Sequence, residues 1–465
     1  MDAPFDLVVL GGGSGGYACA LRAAELGLNV ALVERDLVGG TCLHRGCIPT
    51  KALLHAAEVA DAARNGSTFG IHTTIDKVDL AGVRAYADSV VGRLYKGLTG
   101  LVGSRGITVV NGIGRLVQTA DGPGVEVGEE TFVGRRVVLA TGSYARTLPG
   151  VAIDQATILT SDGALRLDTL PSSAIVLGGG VIGVEFASAW RSLGVEVTLV
   201  EALPRLLPAE DPEISAALER AYRRRKITVR TGQDMRSAER TQTGVRLTLA
   251  NGDSLSAEVL LVAVGRGPVT DGLGYAEAGV ALDRGYVAVD KRLQTTVAGV
   301  YAVGDLVGGL QLAHRGFAHG VFAAEEIAAD LGRGERPAAL VADADIPRVA
   351  YCEPEVASVG LSEQAARERL GEVDTVTFDL AGNGRSQILK TSGFVKLIRQ
   401  PNGPVVGVTM IGARVSELIA EAQLITNWEA FPSDVAALIH PHPTQSEALG
   451  EAHLALAGKP LHVHG

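Results

Sequence analysis

The stretch LVVLGGGSGGYACALRAAELGLNVALVE, residues 7–34, returns as AIVLGGGVIGVEFASAWRSLGVEVTLVE at residues 174–201. At this offset of 167 residues, Gly11, Gly13, Gly16, Gly27 and Glu34 fall on Gly178, Gly180, Gly183, Gly194 and Glu201. Each copy reads as an apolar strand, a glycine loop, a helix, a second strand and a closing acid. A lone glycine motif often makes only a turn. Two copies in strand–loop–helix context are a far more specific signal.

The chemistry follows from the spacing. The first glycine permits a tight turn, the second lets the backbone approach a pyrophosphate, and the third allows helix and strand to pack closely. The phosphates then meet the free amides and positive dipole end of the helix. The acid at the end of the second strand can accept a ribose hydroxyl. Two copies imply two dinucleotide sites. Glu201 would repel a 2′-phosphate, so the second site is expected to take NAD rather than NADP. Arg205 is read as an ordinary surface arginine. VVLATGS (137–143) and LLVAVGRGP (260–268) also read as strands ending in glycine turns, and VYAVGD (300–305) as a strand ending in an acid. Asp305 either caps the next element or holds a ribityl hydroxyl of a flavin.

Composition agrees with such a protein. Glycine supplies 59 of 465 residues, well above the usual ~7%, while 46% of residues are hydrophobic. The net charge of −10 and only 4% aromatic residues argue against nucleic-acid binding, which needs basic grooves and stacking platforms. Four cysteines in this length do not make a secreted disulfide framework. No apolar run is long enough to span a bilayer, and the N-terminus lacks the basic and apolar regions of a signal peptide. A cytoplasmic protein is therefore expected.

The domain reading is α/β: two Rossmann-like dinucleotide-binding domains plus a C-terminal α+β domain. Residues 1–145 form the first part of one nucleotide domain, 146–267 the inserted second one, 268–340 the return to the first, and 341–465 the C-terminal domain. A linker is expected at about 332–348. The runs ASVGL, GFVKLI and VVGVTMI suggest strands, followed by helix near 415–430.

Two clusters carry reactive side chains. In GGTCLHRGCIPTK (39–51), Cys42 and Cys47 are a redox pair, a metal half-site or buried bystanders. No second close Cys/His pair completes a structural zinc site, so no metal is expected and the redox pair is the best reading. Gly46 lets the chain curl. Pro49 suits the first turn of a helix whose N-terminus would stabilise a thiolate. Lys51 lies about one helical turn beyond Cys47. Cys19 and Cys352 read as small buried hydrophobes. In IHPHPTQSEAL (439–449), the prolines hold His440 and His442 extended. A carboxylate at Glu447 would fix the tautomer of His442 and raise its basicity, and His440, farther from it, is the weaker candidate. Two dinucleotide sites, a dithiol and a His–Glu dyad describe an NAD-linked flavin disulfide oxidoreductase.

Read together, GGTCLHRGCIPTK, the duplicated glycine motif and HPHPTQSE resemble the lipoamide-linked members of the pyridine-nucleotide disulfide oxidoreductase family, class I, essentially end to end. The resemblance implies FAD at the first motif, on Gly11, Gly13, Ser14, Gly16, Glu34, Arg35, Gly40, Thr41, Lys51, Gly114, Thr141, Gly142, Ser143, Asp305, Leu312, Ala313 and His314. It implies NAD at the second, on Gly178, Gly180, Val181, Ile182, Gly183, Glu201, Val264, Gly265 and Arg266. Cys47 would be the flavin-side, charge-transfer thiol and Cys42 the interchange thiol. His442 would be the acid–base, Glu447 its orienter, and Lys51 would pair with Glu185 near the flavin.

The implied reaction oxidises dihydrolipoamide to lipoamide and reduces NAD to NADH. The lipoyl group would come on a partner: the acyltransferase of a 2-oxoacid dehydrogenase complex or the lipoyl carrier of glycine cleavage. The resemblance also implies a homodimer, with residues 341–465 as its interface domain and His442 reaching the dithiol of the other subunit, and a cis bond before Pro443. His44, Arg45, His319, Val269 and Pro441 depart from the common pattern. Of these, Arg45 is expected to point to solvent. The alternative within the family is an NAD(P)H-dependent reductase of low-molecular-weight disulfides, of the glutathione or mycothione type. The tail LHVHG lacks the cysteine pair of a mercuric reductase.

Overall fold

The computed structural model describes residues 5–462; the last three residues of the tail lie outside it. The chain divides into two compact units. The first comprises residues 1–53, 81–146 and 266–341, and the second residues 54–80, 147–265 and 342–465.

In the first unit the strand Phe5–Leu10 lies at the centre of a parallel sheet. Val30–Glu34 pairs on one side of it, in register Leu7↔Val30, with Thr108–Asn111 beyond. On the other side lies Glu130–Leu139, followed by Val300–Ala302. These strands are continuous apolar runs because both faces of the sheet are covered. Leu7, Val8, Val9, Ala31, Leu32, Val33, Val137, Val138 and Leu139 are all fully buried. The long strand Glu130–Leu139 also serves a second purpose: its first half pairs antiparallel with Gly122–Val127.

The second unit repeats the plan. Ser173–Leu177 is flanked by Glu196–Val200 and then Thr228–Arg230 on one side, and by Val259–Val262 and Ile158–Leu159 on the other, all parallel. Its C-terminal part is a five-stranded antiparallel sheet of Arg348–Ala350, Glu355–Gly360, Val405–Gly412, Phe394–Arg399 and Asp374–Asp379, in that order. The helices Val415–Asn427 and Glu447–Leu456 pack against it. The expected α/β fold with a C-terminal α+β region is therefore present. The stretch read as a linker has a single 3-10 turn, Asp343–Asp345. It is pinned by Arg336, which bridges Glu326 and Asp330.

Candidate functional site

Both glycine loops have the geometry that the spacing predicts. Gly11 and Gly178 adopt φ +103° and +112°, a region closed to most side chains. A Cβ on Gly16 would overlap the carbonyl oxygen of Gly11, and one on Gly183 that of Gly178. Gly13 and Gly180 behave differently. Their φ values of −69° and −74° suit any residue, and a Cβ there would meet nothing within 4 Å. Packing within the chain does not require glycine at either place. A group brought close to the backbone from outside does, as a pyrophosphate would be. Each of these glycines also precedes a helix, Ser14–Glu25 or Val181–Leu193, that has no side-chain cap, so its first amides are open to an anion. The residues present fit two dinucleotides.

The closing acids are held alike. Glu34 accepts hydrogen bonds from the amides of Gly12 at 2.6 Å and Asp36 at 2.9 Å. Glu201 accepts from Gly179 at 2.5 Å and Leu203 at 2.7 Å. Each carboxylate thus faces its own loop. Arg205 donates to the Pro208 carbonyl at 2.9 Å.

The dithiol follows the first loop directly. The Gly39 amide donates to the Gly12 carbonyl at 2.8 Å. Gly40, at φ +57°, lies so close to Gly13 that a Cβ would sit 2.7 Å from its Cα. Two left-handed glycines therefore dock the short helix Gly40–Arg45, with Cys42, against the nucleotide loop. Gly46 ends that helix, and Cys47 begins the next, Cys47–Asn65, which places Pro49 in its first turn. Both cysteines are partly exposed. Cys42 is pushed well above the ordinary thiol range, first by its hydrogen bond to Cys47, then by burial and by the charge on Cys47; Lys51 pulls the other way. Arg45 ion-pairs with Asp36 and is half-exposed, so its charge is engaged away from the thiols. His44 bonds the Val38 carbonyl at 2.9 Å and meets the edge of Tyr95. Cys19 and Cys352 are buried, and burial pushes both thiols up to about 12.

Further residues join the first site. Asp305 accepts a hydrogen bond from Ser143 Oγ at 2.5 Å, and Arg266 donates to the same Oγ from Nε and to the Ser143 carbonyl from Nη2, both at 2.8 Å. Arg266, expected at the nicotinamide site, is thus joined to two residues expected at the flavin. Thr141 Oγ1 donates to the Val269 carbonyl at 2.6 Å. Gly114 is packed by Leu10, Val33 and Val125. Leu312 caps the helix Ala313–Asp330, and its Gly320 can lie on Gly15 only without a side chain. Sequence reasoning missed that glycine contact, and it missed Tyr17. Burial first, then the charges of Cys42 and Cys47, push the Tyr17 hydroxyl up to about 12.

In the second unit Glu185 is buried and accepts from the Tyr351 amide at 2.9 Å. His442 Nδ1 lies 2.8 Å from Glu447 Oε1, and Glu447 Oε2 accepts from the Thr444 amide at 2.8 Å. Burial raises the Glu447 carboxyl, but the Thr444 amide and His442 outweigh it and hold it below its ordinary value. The His442 side chain is 79% exposed, and the His442–Pro443 bond is cis. His440 does not share this carboxylate. Its Nε2 is 2.8 Å from Glu421, a residue the sequence reading did not single out. Leu424, Trp428, Phe431, Leu438 and Ile439, in the stretch of sequence that leads to this loop, are exposed apolar residues.

Among the described residues no cluster of His, Cys, Asp and Glu is arranged to hold a metal, and no helix is long and apolar enough to cross a membrane.

A duplicated nucleotide fold with a dithiol docked on one loop defines a flavin- and nicotinamide-linked disulfide oxidoreductase. Residues 5–320 match the pyridine nucleotide-disulphide oxidoreductase family, and residues 346–453 match its dimerisation domain. The chain belongs to that family. Among curated relatives, a dihydrolipoyl dehydrogenase of Bacillus subtilis is 38% identical and spans 99% of this chain and 100% of its own length. Another, from Thermus scotoductus, is 39% identical over 99% of each chain. The solved structure of LpdA from Mycobacterium tuberculosis superposes with a TM-score of 0.89 at 29% identity, covering 97% of this chain and 99% of that one.

Proposed function

We propose that the chain is a dihydrolipoyl dehydrogenase in activity: it oxidises protein-bound dihydrolipoamide to lipoamide and reduces NAD to NADH. The cofactors are FAD and NAD. The chain works as a homodimer through its dimerisation domain. The observation that carries the reading is the docking of the Cys42 helix on the first glycine loop, through the Gly39–Gly12 hydrogen bond and the Gly40–Gly13 contact. This supports assigning FAD to the first loop, with Glu34, Ser143 and Asp305, and NAD to the second, with Glu201. Bound FAD supplies a two-electron relay between the dithiol and the nicotinamide.

The protein's own groups manage the sulfur exchange. His442 takes a proton from one thiol of dihydrolipoamide, and Glu447 stabilises the imidazolium that results. The substrate thiolate attacks Cys42 Sγ. The Cys42–Cys47 bond breaks, and Cys47 leaves as a thiolate. The second lipoyl thiol then displaces Cys42, which closes the lipoamide disulfide and returns a proton through His442. Two electrons have passed to the cysteine pair; of the two lipoyl protons one is on Cys42 and the other on His442, because Cys47 stays a thiolate. Because Ile439 and the other exposed apolar residues precede the exposed His442 in the chain, we assign its action to the dithiol of the partner subunit. The lipoyl group arrives on the acyltransferase of a 2-oxoacid dehydrogenase complex or on the lipoyl carrier of glycine cleavage. The compartment is the cytoplasm, where thiols stay reduced. Glu201 favours NAD over a phosphorylated nucleotide and so disfavours an NADPH-dependent reductase.

Replacing Cys47 with Ser tests the assignment. Turnover of dihydrolipoamide should vanish, while NADH-to-dye activity persists because it needs only the nucleotide sites. Equal loss of both activities would contradict the role given to Cys47.

A further inference from the structure

The segment 440–442 lies along the first turns of the helix Glu447–Leu456. His442 meets Glu447, the first residue of that helix. His440 meets Gly450, three residues on and therefore on the same face. The contact is close: a Cβ on Gly450 would sit 2.6 Å from His440 Nδ1 and 3.0 Å from its Cε1. The imidazole ring occupies the place where any other residue would put a side chain. On its far edge, Nε2 is 2.8 Å from Glu421 of the helix Val415–Asn427. The His440 side chain is only 12% exposed, against 79% for His442.

Two histidines two residues apart thus have opposite surroundings. Glu421 raises the pKa of His440 by hydrogen bonding, against burial, and Glu447 also acts on its charge. His453, on the face shared by Glu447 and Gly450, is fully buried, and its Nδ1 bonds the Leu449 carbonyl at 2.6 Å. The prolines 441 and 443 stiffen the chain on either side of His442. An exposed imidazole on a loop has no wall to hold it; here the loop is fixed by the ring just before it.

We propose that His440, clamped between Glu421 and Gly450, is a positioning residue for the reaction proposed above: it sets the place of His442 against Glu447 and the incoming thiol. The inference rests on His442 as the acid–base group. Catalysis by a positioned base is sensitive to displacement, since about 1 Å of misplacement can cost ~100-fold.

The test uses the FAD-loaded dimer and compares His440→Ala, His440→Gln, Gly450→Ala and His442→Gln. Dihydrolipoamide oxidation is followed beside NADH-to-dye turnover. His440→Ala should lower kcat for dihydrolipoamide by about 10- to 100-fold with KM little changed. Dye turnover and flavin content should stay within about two-fold. His440→Gln, which keeps a donor toward Glu421, should recover most of the rate. Gly450→Ala, whose Cβ would push the ring aside, should reproduce the loss, and its melting temperature beside that of the parent separates displacement of the ring from loss of stability. Unchanged kcat in His440→Ala beside a collapse in His442→Gln would overturn the positioning role alone. So would equal loss in the Ala and Gln variants, or a parallel fall in dye turnover. Full activity in His442→Gln would instead remove the acid–base assignment, and this inference with it.

Discussion

Residues 7–34 and 174–201 build the same loop twice, and the copies part in what the chain brings back to that loop after the closing glutamate. In each, the first glycine is left-handed, the third has its Cα on the first one's carbonyl, and the acid accepts two loop amides. In each, one further amide returns to the loop: Gly39 to Gly12 in the first copy, Leu207 to Gly179 in the second. The residues at that return differ. Gly39 and Gly40 carry no side chains, so the helix with Cys42 comes directly onto the loop. Leu206 and Leu207 are buried instead, and Leu206 covers Gly179. The nucleotide loop is therefore a common scaffold, and its chemistry is decided by what the next few residues allow to approach.

That comparison can be broken at the third glycine. Gly16→Val and Gly183→Val place the same side chain on the same carbonyl in the two copies. Overpacking of this kind costs about 1–3 kcal/mol or more. Gly16→Val should purify without bound flavin. Gly183→Val should stay yellow and keep its dithiol reducible by dihydrolipoamide, yet lose most NAD-dependent turnover. Absorbance of the purified proteins and steady-state assays read both outcomes; an identical phenotype in the two variants would mean that the loops do not serve different nucleotides.

A smaller effect sharpens the division at the acids. Glu201→Gln keeps the size of the side chain and removes its charge. The preference for NADH over NADPH should narrow by roughly 10-fold, equivalent to ~1.4 kcal/mol, with flavin content unchanged. Glu34→Gln should leave that preference alone and weaken flavin retention. The comparison of turnover with the two nicotinamides reads the first effect, and the free flavin released on dilution reads the second.

The smallest effect lies at the dyad. The Glu447 carboxyl is held below its ordinary value. Its contribution to stability is therefore complete above the ordinary glutamate range and disappears as the pH falls through the depressed folded value. Melting temperatures of the parent and Glu447→Gln should differ near neutrality and converge in acid.

Much of this was legible because its causes are local. The glycine motifs announce themselves since each glycine answers to a neighbour a few residues away, as Gly16 answers to Gly11. Cys42 and Cys47, and His442 and Glu447, are likewise close in sequence. What stayed hidden depends on partners that the chain brings from far away. Gly320 lies on Gly15, and Glu421 holds His440, and nothing in either local pattern names the other. Ser188 and Ser192 show the same limit. They are small residues of an apolar helix, yet they bind Arg225 at 2.7 and 2.5 Å, and Ser192 also donates to Asp61 at 2.5 Å. Arg266 reads as part of a glycine turn after a nucleotide strand, and only the antiparallel pairing of Arg266–Pro268 with Ser143–Ala145 reveals its contact with Ser143.

The central claim is that the dithiol on the first loop passes electrons between a lipoyl thiol and the second loop's nicotinamide. Anaerobic titration of the flavin-loaded dimer with dihydrolipoamide, followed by NAD, tests it directly. The account predicts that dihydrolipoamide produces a long-wavelength absorbance band in the flavin spectrum and that NAD reverses it. A flavin that NADH bleaches but dihydrolipoamide leaves unchanged would contradict it, and would make a different disulfide the substrate.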